Sequence, residues 1–346
     1  MRIILTGGTG FVGAHCVRAL LSNGHDVSML VRDRNRVARA LEPLGVPIDR
    51  CAIVTGDVLD EGAVQRALSG ADALLHAANV YSLKATDASI MHRVNVDATR
   101  WILRRAVHQG LDPVVHVSSV AALLPSPLIT SQSPLGEPQG AYQRSKAAGE
   151  AIARELQDQG APVVITAPAS VFGPHDPHLG ESAALVRNVL RGRLRVTMQG
   201  ALAIVDVRDL AAGHVKLFMA GAGPRRYLMA GHRVPFPELF RLLARISGRR
   251  LPRVKLPERV VAAGAQLGDI AHRRGIDLGF SSAGAWSLAN LGEVDDRDTR
   301  RDLEVEWRPV TETLRDTAAW LHAEGSLTAR QAGAAAGALW PSESRP

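Results

Sequence analysis

Only two cysteines, Cys16 and Cys51, occur in the 346 residues, and neither stands in a metal-binding or redox spacing. Two thiols allow at most one bridge, so a disulfide framework is excluded. Both are expected buried and reduced, as in a cytoplasmic protein. No apolar run is long enough to span a bilayer, so no integral membrane segment is expected. The opening Met1-Arg-Ile-Ile-Leu5 carries one charge and a short apolar run before glycines begin, which argues against a signal peptide. Aromatic residues make up 4% of the chain and form no aromatic-and-basic surface motif. The formal charge of +7 comes from arginines scattered among acids such as Asp33, Asp57, Asp206, Asp209 and Asp295. Nucleic acid is therefore not an expected partner. A solvated basic surface and a basic pocket for an anionic ligand are both open readings.

What is present is ordinary for a globular protein: 46% hydrophobic and 22% charged residues, in a chain long enough for one large or two unequal domains. Short apolar runs at 2–5, 27–31, 52–55, 73–76, 114–117 and 163–166 read as strands. Segments with helical spacing lie between them at 12–22, 61–68, 87–108 and 141–157. The strands are apolar throughout rather than alternating, as expected when helices cover both faces of a parallel sheet. The expected fold class is α/β: a Rossmann doubly wound parallel sheet followed by a smaller mixed α+β C-terminal substrate lobe. The boundaries expected are 1–172 for the dinucleotide domain, with some later segments returning to it, 173–325 for the lobe, and 326–346 for a flexible tail. In the lobe, helices are expected at 182–190, 207–219, 236–246, 258–272 and 310–321, and short strands near 203–205 and 226–229.

Thr6-Gly-Gly-Thr-Gly-Phe-Val-Gly13 follows the first strand and opens the first helix. Gly7 allows a tight turn, Gly10 lets the backbone approach a pyrophosphate, and Gly13 lets the helix pack close to the sheet. The pyrophosphate would sit on free N–H groups at the helix start, around Phe11 and Val12. A purely structural turn is the alternative. The end of the second strand selects the dinucleotide. Val31 stands where an NAD site places an acid for the ribose hydroxyls, and Arg32 follows it. A guanidinium fork suits a 2′-phosphate, so NADPH is preferred, with Arg32 as the main contact and Arg36 assisting. NAD remains possible, because a one-residue shift would make Asp33 the ribose ligand. Asp57, in Gly56-Asp57-Val58, either caps the adenine amino group or caps a helix. His76-Ala77-Ala78 ends the fourth strand, where small residues let a cofactor lie on the backbone; His76 itself reads as structural.

Lysine and tyrosine are scarce, four and three residues, yet Tyr142 and Lys146 stand one turn apart on one helical face. A phenol beside an ammonium is expected to have a lowered pKa and to serve as general acid or base.

Together these parts resemble the extended short-chain dehydrogenase/reductase family, within the NAD-dependent epimerase/dehydratase superfamily, over about residues 1–322. The resemblance rests on the glycine loop, Gly56-Asp57, His76-Ala-Ala78, Asn95-Val96, Val117-Ser-Ser119, Tyr142-x-x-x-Lys146, Pro168-Ala-Ser-Val-Phe-Gly-Pro174 and Val205-Asp-Val-Arg-Asp-Leu-Ala211. It implies that Tyr142 exchanges a proton with the substrate oxygen and that Lys146 bonds the nicotinamide ribose. It also implies that Ser119 holds the substrate oxygen, with Ser118 the alternative; both serines can equally satisfy a strand end. Asn95 and Ser118 match cofactor-site motifs, and Pro168 and Val171 match positions that shape the nicotinamide pocket. Val31-Arg32-Asp33 and 168–174 resemble the dihydroflavonol-4-reductase-like branch, which implies a small-molecule carbonyl or alcohol substrate. The alternative is an NAD-dependent nucleotide-sugar epimerase or dehydratase. Against it, the diphosphate-gripping arginine is replaced by Leu202, and Val120-Ala-Ala-Leu-Leu124 stands where dehydratases carry extra acids. A non-catalytic dinucleotide-binding regulator is a third reading, disfavoured because Tyr and Lys are both kept. Relatives dimerise through helices matching 87–108 and 141–157, so a homodimer is expected. Tyr81 and His175 are further pocket candidates, and no metal is expected.

Overall fold

The computed structural model describes residues 1–82, 87–273 and 282–337. Its first half alternates β1 (Arg2–Thr6), α1 (Phe11–Ser22), β2 (Asp26–Val31), α2 (Asn35–Leu41), β3 (Cys51–Thr55), α3 (Glu61–Leu68) and β4 (Ala73–His76). The periodicity of 87–108 resolves into α4 (Ala88–His92), a wide π turn at Arg93–Ala98, and α5 (Thr99–His108). β5 (Val114–Val117), the short β6 (Ser126–Ile129), α6 (Ala141–Asp158), β7 (Val163–Pro168) and β8 (Ser170–Phe172) follow. All six strands expected in this half form, within one or two residues at each end. α2 was not anticipated; it is two turns long and its first turn holds only polar residues and one valine.

The C-terminal half contains α7 (Glu181–Leu190), β9 (Val196–Thr197), β10 (Ala201–Asp206), α8 (Val207–Val215), β11 (Arg225–Met229), β12 (His232–Pro235) and α9 (Phe236–Ser247). After these come β13 (Val254–Lys255), α10 (Glu258–Arg273), α11 (Ser282–Asn290), β14 (Leu291–Val294), α12 (Arg297–Leu303), α13 (Val310–Ala323) and α14 (Ala329–Ala332). α8 stops four residues short of the expected 219.

Seven parallel strands build the main sheet in the order β11-β7-β5-β4-β1-β2-β3. β11, from the second half of the chain, pairs with β7 and closes one edge. Order reverses between β1 and β4, so the C-terminal ends of these two strands open the crevice where a doubly wound sheet binds its ligand. Helices cover both faces, which is why Ile3, Leu5, Leu74, Leu75, Val114 and Val115 are all fully buried. A second core is built by α7, α9 and α13 around Phe172, Phe240, Leu243 and Leu321. Three small sheets, β12-β10-β8, β13-β9 and β14-β6, accompany it, and the β10–β12 pair is antiparallel. Residues 326–337, expected to belong to a flexible tail, are instead docked. Thr328 and Gln331 form a reciprocal capping box on α14. Arg191 donates to the Ser326 carbonyl, and Arg249 to that of Gln331. The rest of that segment, 338–346, lies outside the described residues.

Candidate active site

The glycine loop runs from the end of β1 into α1, beside the order reversal. Gly7 has φ +81°, a left-handed conformation, and a Cβ there would stand 2.6 Å from the Ala78 amide nitrogen. A Cβ on Gly13 would stand 2.1 Å from the Gly7 carbonyl oxygen. Both contacts are with backbone, which cannot swing aside. Gly10 is the N-cap of α1 and offers no side chain to its first amides, those of Phe11, Val12 and Gly13. The result is a bare helix N-terminus facing a crevice, with partial positive charge and unused donors. These residues fit a dinucleotide pyrophosphate.

Around the loop, Arg32 is exposed just past β2. Asp33 is engaged locally: it accepts from the Asn35 amide at 2.9 Å and pairs with Arg36 at 3.6 Å. Asp57 accepts from the Leu59 amide at 3.0 Å through one carboxylate oxygen. Val58 packs on the core beneath α3 and α5. Ala77 and Ala78 hydrogen-bond to Thr6 through their backbone, which holds the end of β4 against the glycine loop. His76 is fully enclosed, bridging Thr6 at 2.7 Å and Thr99 at 3.0 Å. Burial pushes its pKa down to about 3, so it is neutral and structural.

Tyr142 and Lys146 lie on the first two turns of α6, which packs across the 3₁₀ turn that follows Ser119. The Lys146 ammonium donates to the Val117 carbonyl at 2.8 Å. Burial lowers its pKa to about 8, and the carboxylate of Glu150 works in the opposite direction. Tyr142 departs from expectation. Its pKa is pushed up to about 12 by burial, only partly offset by a hydrogen bond with Ser119. The spacing argument considered the lysine charge alone; here desolvation outweighs it, and the ammonium is turned toward a carbonyl. Ser119 also accepts from the Ala121 amide at 3.2 Å. The two adjacent serines therefore face different partners. Ser119 meets Tyr142, whereas Ser118, 4% exposed, donates to Glu150 at 2.5 Å.

Asn95, in the π turn, exchanges two hydrogen bonds with the Val80 backbone and donates to Ser145 at 3.0 Å. Its amide is thus a clamp between the segment after β4 and the Tyr142 helix. Gly149 permits this packing, since a Cβ there would lie 2.7 Å from the Asn95 carbonyl oxygen. Pro168 ends β7 opposite Met229, and Val171 pairs with Val205 in the small sheet. Of the two further pocket candidates, the Tyr81 ring sits edge-on to that of Tyr142, with centroids 4.5 Å apart. His175 instead lies 6.3 Å from the Trp320 ring.

Sequence reasoning missed Glu150. It is 2% exposed, accepts from Ser118, and forms an ion pair with Arg154. The signal was available: an acid one turn beyond Lys146, on the face that also carries Gly149.

Residues 3–230 match the model of the NAD dependent epimerase/dehydratase family. The chain is 30% identical to sterol demethylase protein B of Methylococcus capsulatus, covering 94% of this chain and 100% of that one. It is 33% identical to a putative dihydroflavonol 4-reductase of Synechocystis, covering 73% and 74% of the two chains. Ketoreductases and cinnamoyl-CoA reductases are also among its relatives. The solved structure of gox2253 superposes with a TM-score of 0.78 at 26% identity, covering 94% of this chain and 99% of that one. With the match spanning the glycine loop, the Tyr142–Lys146 helix and seven strands in doubly wound order, the chain belongs to the NAD dependent epimerase/dehydratase family.

Proposed function

We propose that this protein is an NAD(P)H-dependent oxidoreductase that reduces a ketone or aldehyde of a small molecule to an alcohol. The observation that carries the reading is the cluster at the start of α6: Tyr142 stands one helical turn before Lys146 and hydrogen-bonds Ser119, with burial keeping the phenol protonated at neutral pH. A phenol in that state is a proton donor, which carbonyl reduction needs. Ser119, bonded to the same hydroxyl, would steady the substrate oxygen. Lys146, mostly protonated below pH 8, would bond the nicotinamide ribose. The dinucleotide supplies the hydride when bound. Gly7, Gly10, Phe11, Val12 and Gly13 would hold its pyrophosphate, with Asp57, Val58, Ala77 and Ala78 along the adenine side and Pro168 and Val171 along the nicotinamide side. Asn95 and Ser118 would act on that site from behind, through Ser145 and Glu150.

NADPH is favoured because Arg32 is exposed at the ribose end, while the one nearby acid, Asp33, is spent on Asn35 and Arg36. The reductase names of the relatives support reduction. The sugar-epimerase reading fits less well, since Leu202 in β10 sits between buried alanines where a diphosphate would want a cation. The same proposal assigns the dinucleotide domain to 1–172 with β11 returned to it and the substrate lobe to 173–325. It carries a cytoplasmic homodimer built on α5 and α6. Among the described residues no helix is long and apolar enough to cross a membrane. The test is NADPH consumption with a panel of ketones and aldehydes, comparing the native protein with Tyr142→Phe. Turnover should fall at least about 10³-fold in the variant with dinucleotide affinity intact. Near-native turnover in the variant would end the proposal.

A further inference from the structure

Seven large apolar side chains are exposed among the described residues, and three of them, Val254 (59%), Val260 (49%) and Leu267 (63%), lie on or just before α10. That clustering sets α10 apart from the rest of the surface. The helix has two apolar ridges. Val261 and Ala265 face inward and belong to the second core. Val260, Ala263, Gly264 and Leu267, at i, i+3, i+4 and i+7, are all exposed and form a second stripe, turned away from the buried one. Charge is concentrated in the same place. Residues 249–274 contain seven basic and two acidic residues, a net of +5 against +7 for the whole chain. Arg249 is turned inward onto the Leu190 and Gln331 carbonyls, but Arg250, Arg253, Lys255 and Arg259 are exposed.

We propose that α10 and the preceding 250–255 segment form a docking element for an anionic lipid surface. The helix would lie in the plane of the interface, with Val254, Val260 and Leu267 at the headgroup–acyl boundary and the four exposed cations on anionic headgroups. An apolar ridge flanked by cations of one sign is the pattern of an interfacial helix, and its length and charge exclude a spanning one. A second copy of the chain fits the face poorly. A two-fold contact through α10 would bring the same cations against each other, and like charges across an interface oppose association. The docking element does not depend on the identity of the reaction.

The full-length protein should float with vesicles of phosphatidylcholine containing about 30% phosphatidylglycerol and not with phosphatidylcholine alone, and about 0.5 M salt should release it. Replacing Arg253 and Lys255 by serine should weaken partitioning about 25-fold, near fivefold for each charge. The pair Val260→Asp and Leu267→Asp should weaken it about 50-fold or more. All of these positions are exposed, so thermal unfolding and NADPH turnover of a water-soluble carbonyl should be unchanged. Absence of vesicle binding, or binding that the variants do not weaken, would overturn the proposal. So would light scattering in which Val260→Asp and Leu267→Asp split a dimer into monomers, which would make the face a self-interface.

Discussion

Replacing Glu150 by glutamine keeps the volume of a buried side chain and removes its charge. In the native protein its carboxylate accepts from Ser118 at 2.5 Å and from Arg154 Nε at 2.9 Å, one helical turn beyond Lys146. Side chains on successive turns have Cβ atoms roughly 5–6 Å apart, so their charges lie about 7 Å apart. At an effective dielectric of about 20, that separation gives an attraction of about 2 kcal/mol, equivalent to roughly 1.5 pH units. The sign follows from which form is favoured: a carboxylate stabilises the ammonium, so removing it lowers the pKa of Lys146 from its native value of about 8. Activity that needs a protonated Lys146 is present below that pKa and lost as pH rises through it. The high-pH limb of kcat should therefore sit near pH 8 in the native enzyme and about one to two pH units lower in Glu150→Gln, read from initial rates of NADPH oxidation between about pH 6 and 9. Arg154, whose side chain is 19% exposed, loses its carboxylate partner but keeps the Ser133 carbonyl, so stability should fall by about 2 kcal/mol in urea unfolding. Arg154→Met separates the two effects. It should cost similar stability, leave the Glu150 carboxylate in place, and not move the limb downward. A Glu150→Gln enzyme that is less stable but has an unmoved limb would show that Glu150 only holds α6 against β5.

Three other outcomes follow from the geometry. Gly13→Ala places a Cβ 2.1 Å from the Gly7 carbonyl oxygen, so dinucleotide affinity by fluorescence titration should fall at least about 100-fold, with about 1–3 kcal/mol lost in stability; native affinity would refute the glycine-loop assignment. Arg32→Ala should raise the KM for NADPH about 10- to 100-fold and leave that for NADH nearly unchanged, and an unaltered ratio of the two would refute the 2′-phosphate contact. His15, His76 and His214, each at most 3% exposed, have pKa values lowered by burial to about 3, 3 and 4. Their contribution to stability is whole above the unfolded value near 6.5 and is lost as pH falls toward the folded values. These three protons, taken up only on unfolding, account for a drop in unfolding free energy of about 4 kcal/mol per pH unit between roughly pH 6 and 4, to which the buried His116, lowered in the same direction, adds; a flat profile over that range would refute it.

The inner strands of the main sheet were legible because they are buried on both faces, which writes a largely apolar run into them. The short strands were not. β6, β8, β9, β13 and β14 have two to four residues each, less than the span over which period-two alternation can be recognised. β11 was legible as a strand and not as a member of the main sheet. Its sequence, Arg-Arg-Tyr-Leu-Met, reads as an edge, and which edge it closes is decided by the chain returning to β7 across the intervening β8, α7, β9, β10 and α8. The docked segment 326–337 read as a mobile tail because its alanines and glycines carry no amphipathic signal; what pins it is a pair of distant arginines, Arg191 and Arg249.

The candidate site divides in the same way. Tyr142 and Lys146 could be named from spacing, since one helical turn brings two scarce residues together, and Ser119 from the family resemblance. Their protonation could not, because it depends on solvent exclusion and on partners far away in sequence. Lys146 points at Val117, 29 residues earlier, and Ser118 is withdrawn from the crevice by Glu150, 32 residues later. The consequence is chemical. A tyrosine whose pKa had been lowered would serve alcohol oxidation as readily as carbonyl reduction at neutral pH. One whose pKa is raised by burial keeps its proton ready for a nascent alkoxide, a far stronger base. Burial thereby sets the Tyr142 phenol in its proton-donating form, a state that no spacing of residues in the sequence encodes.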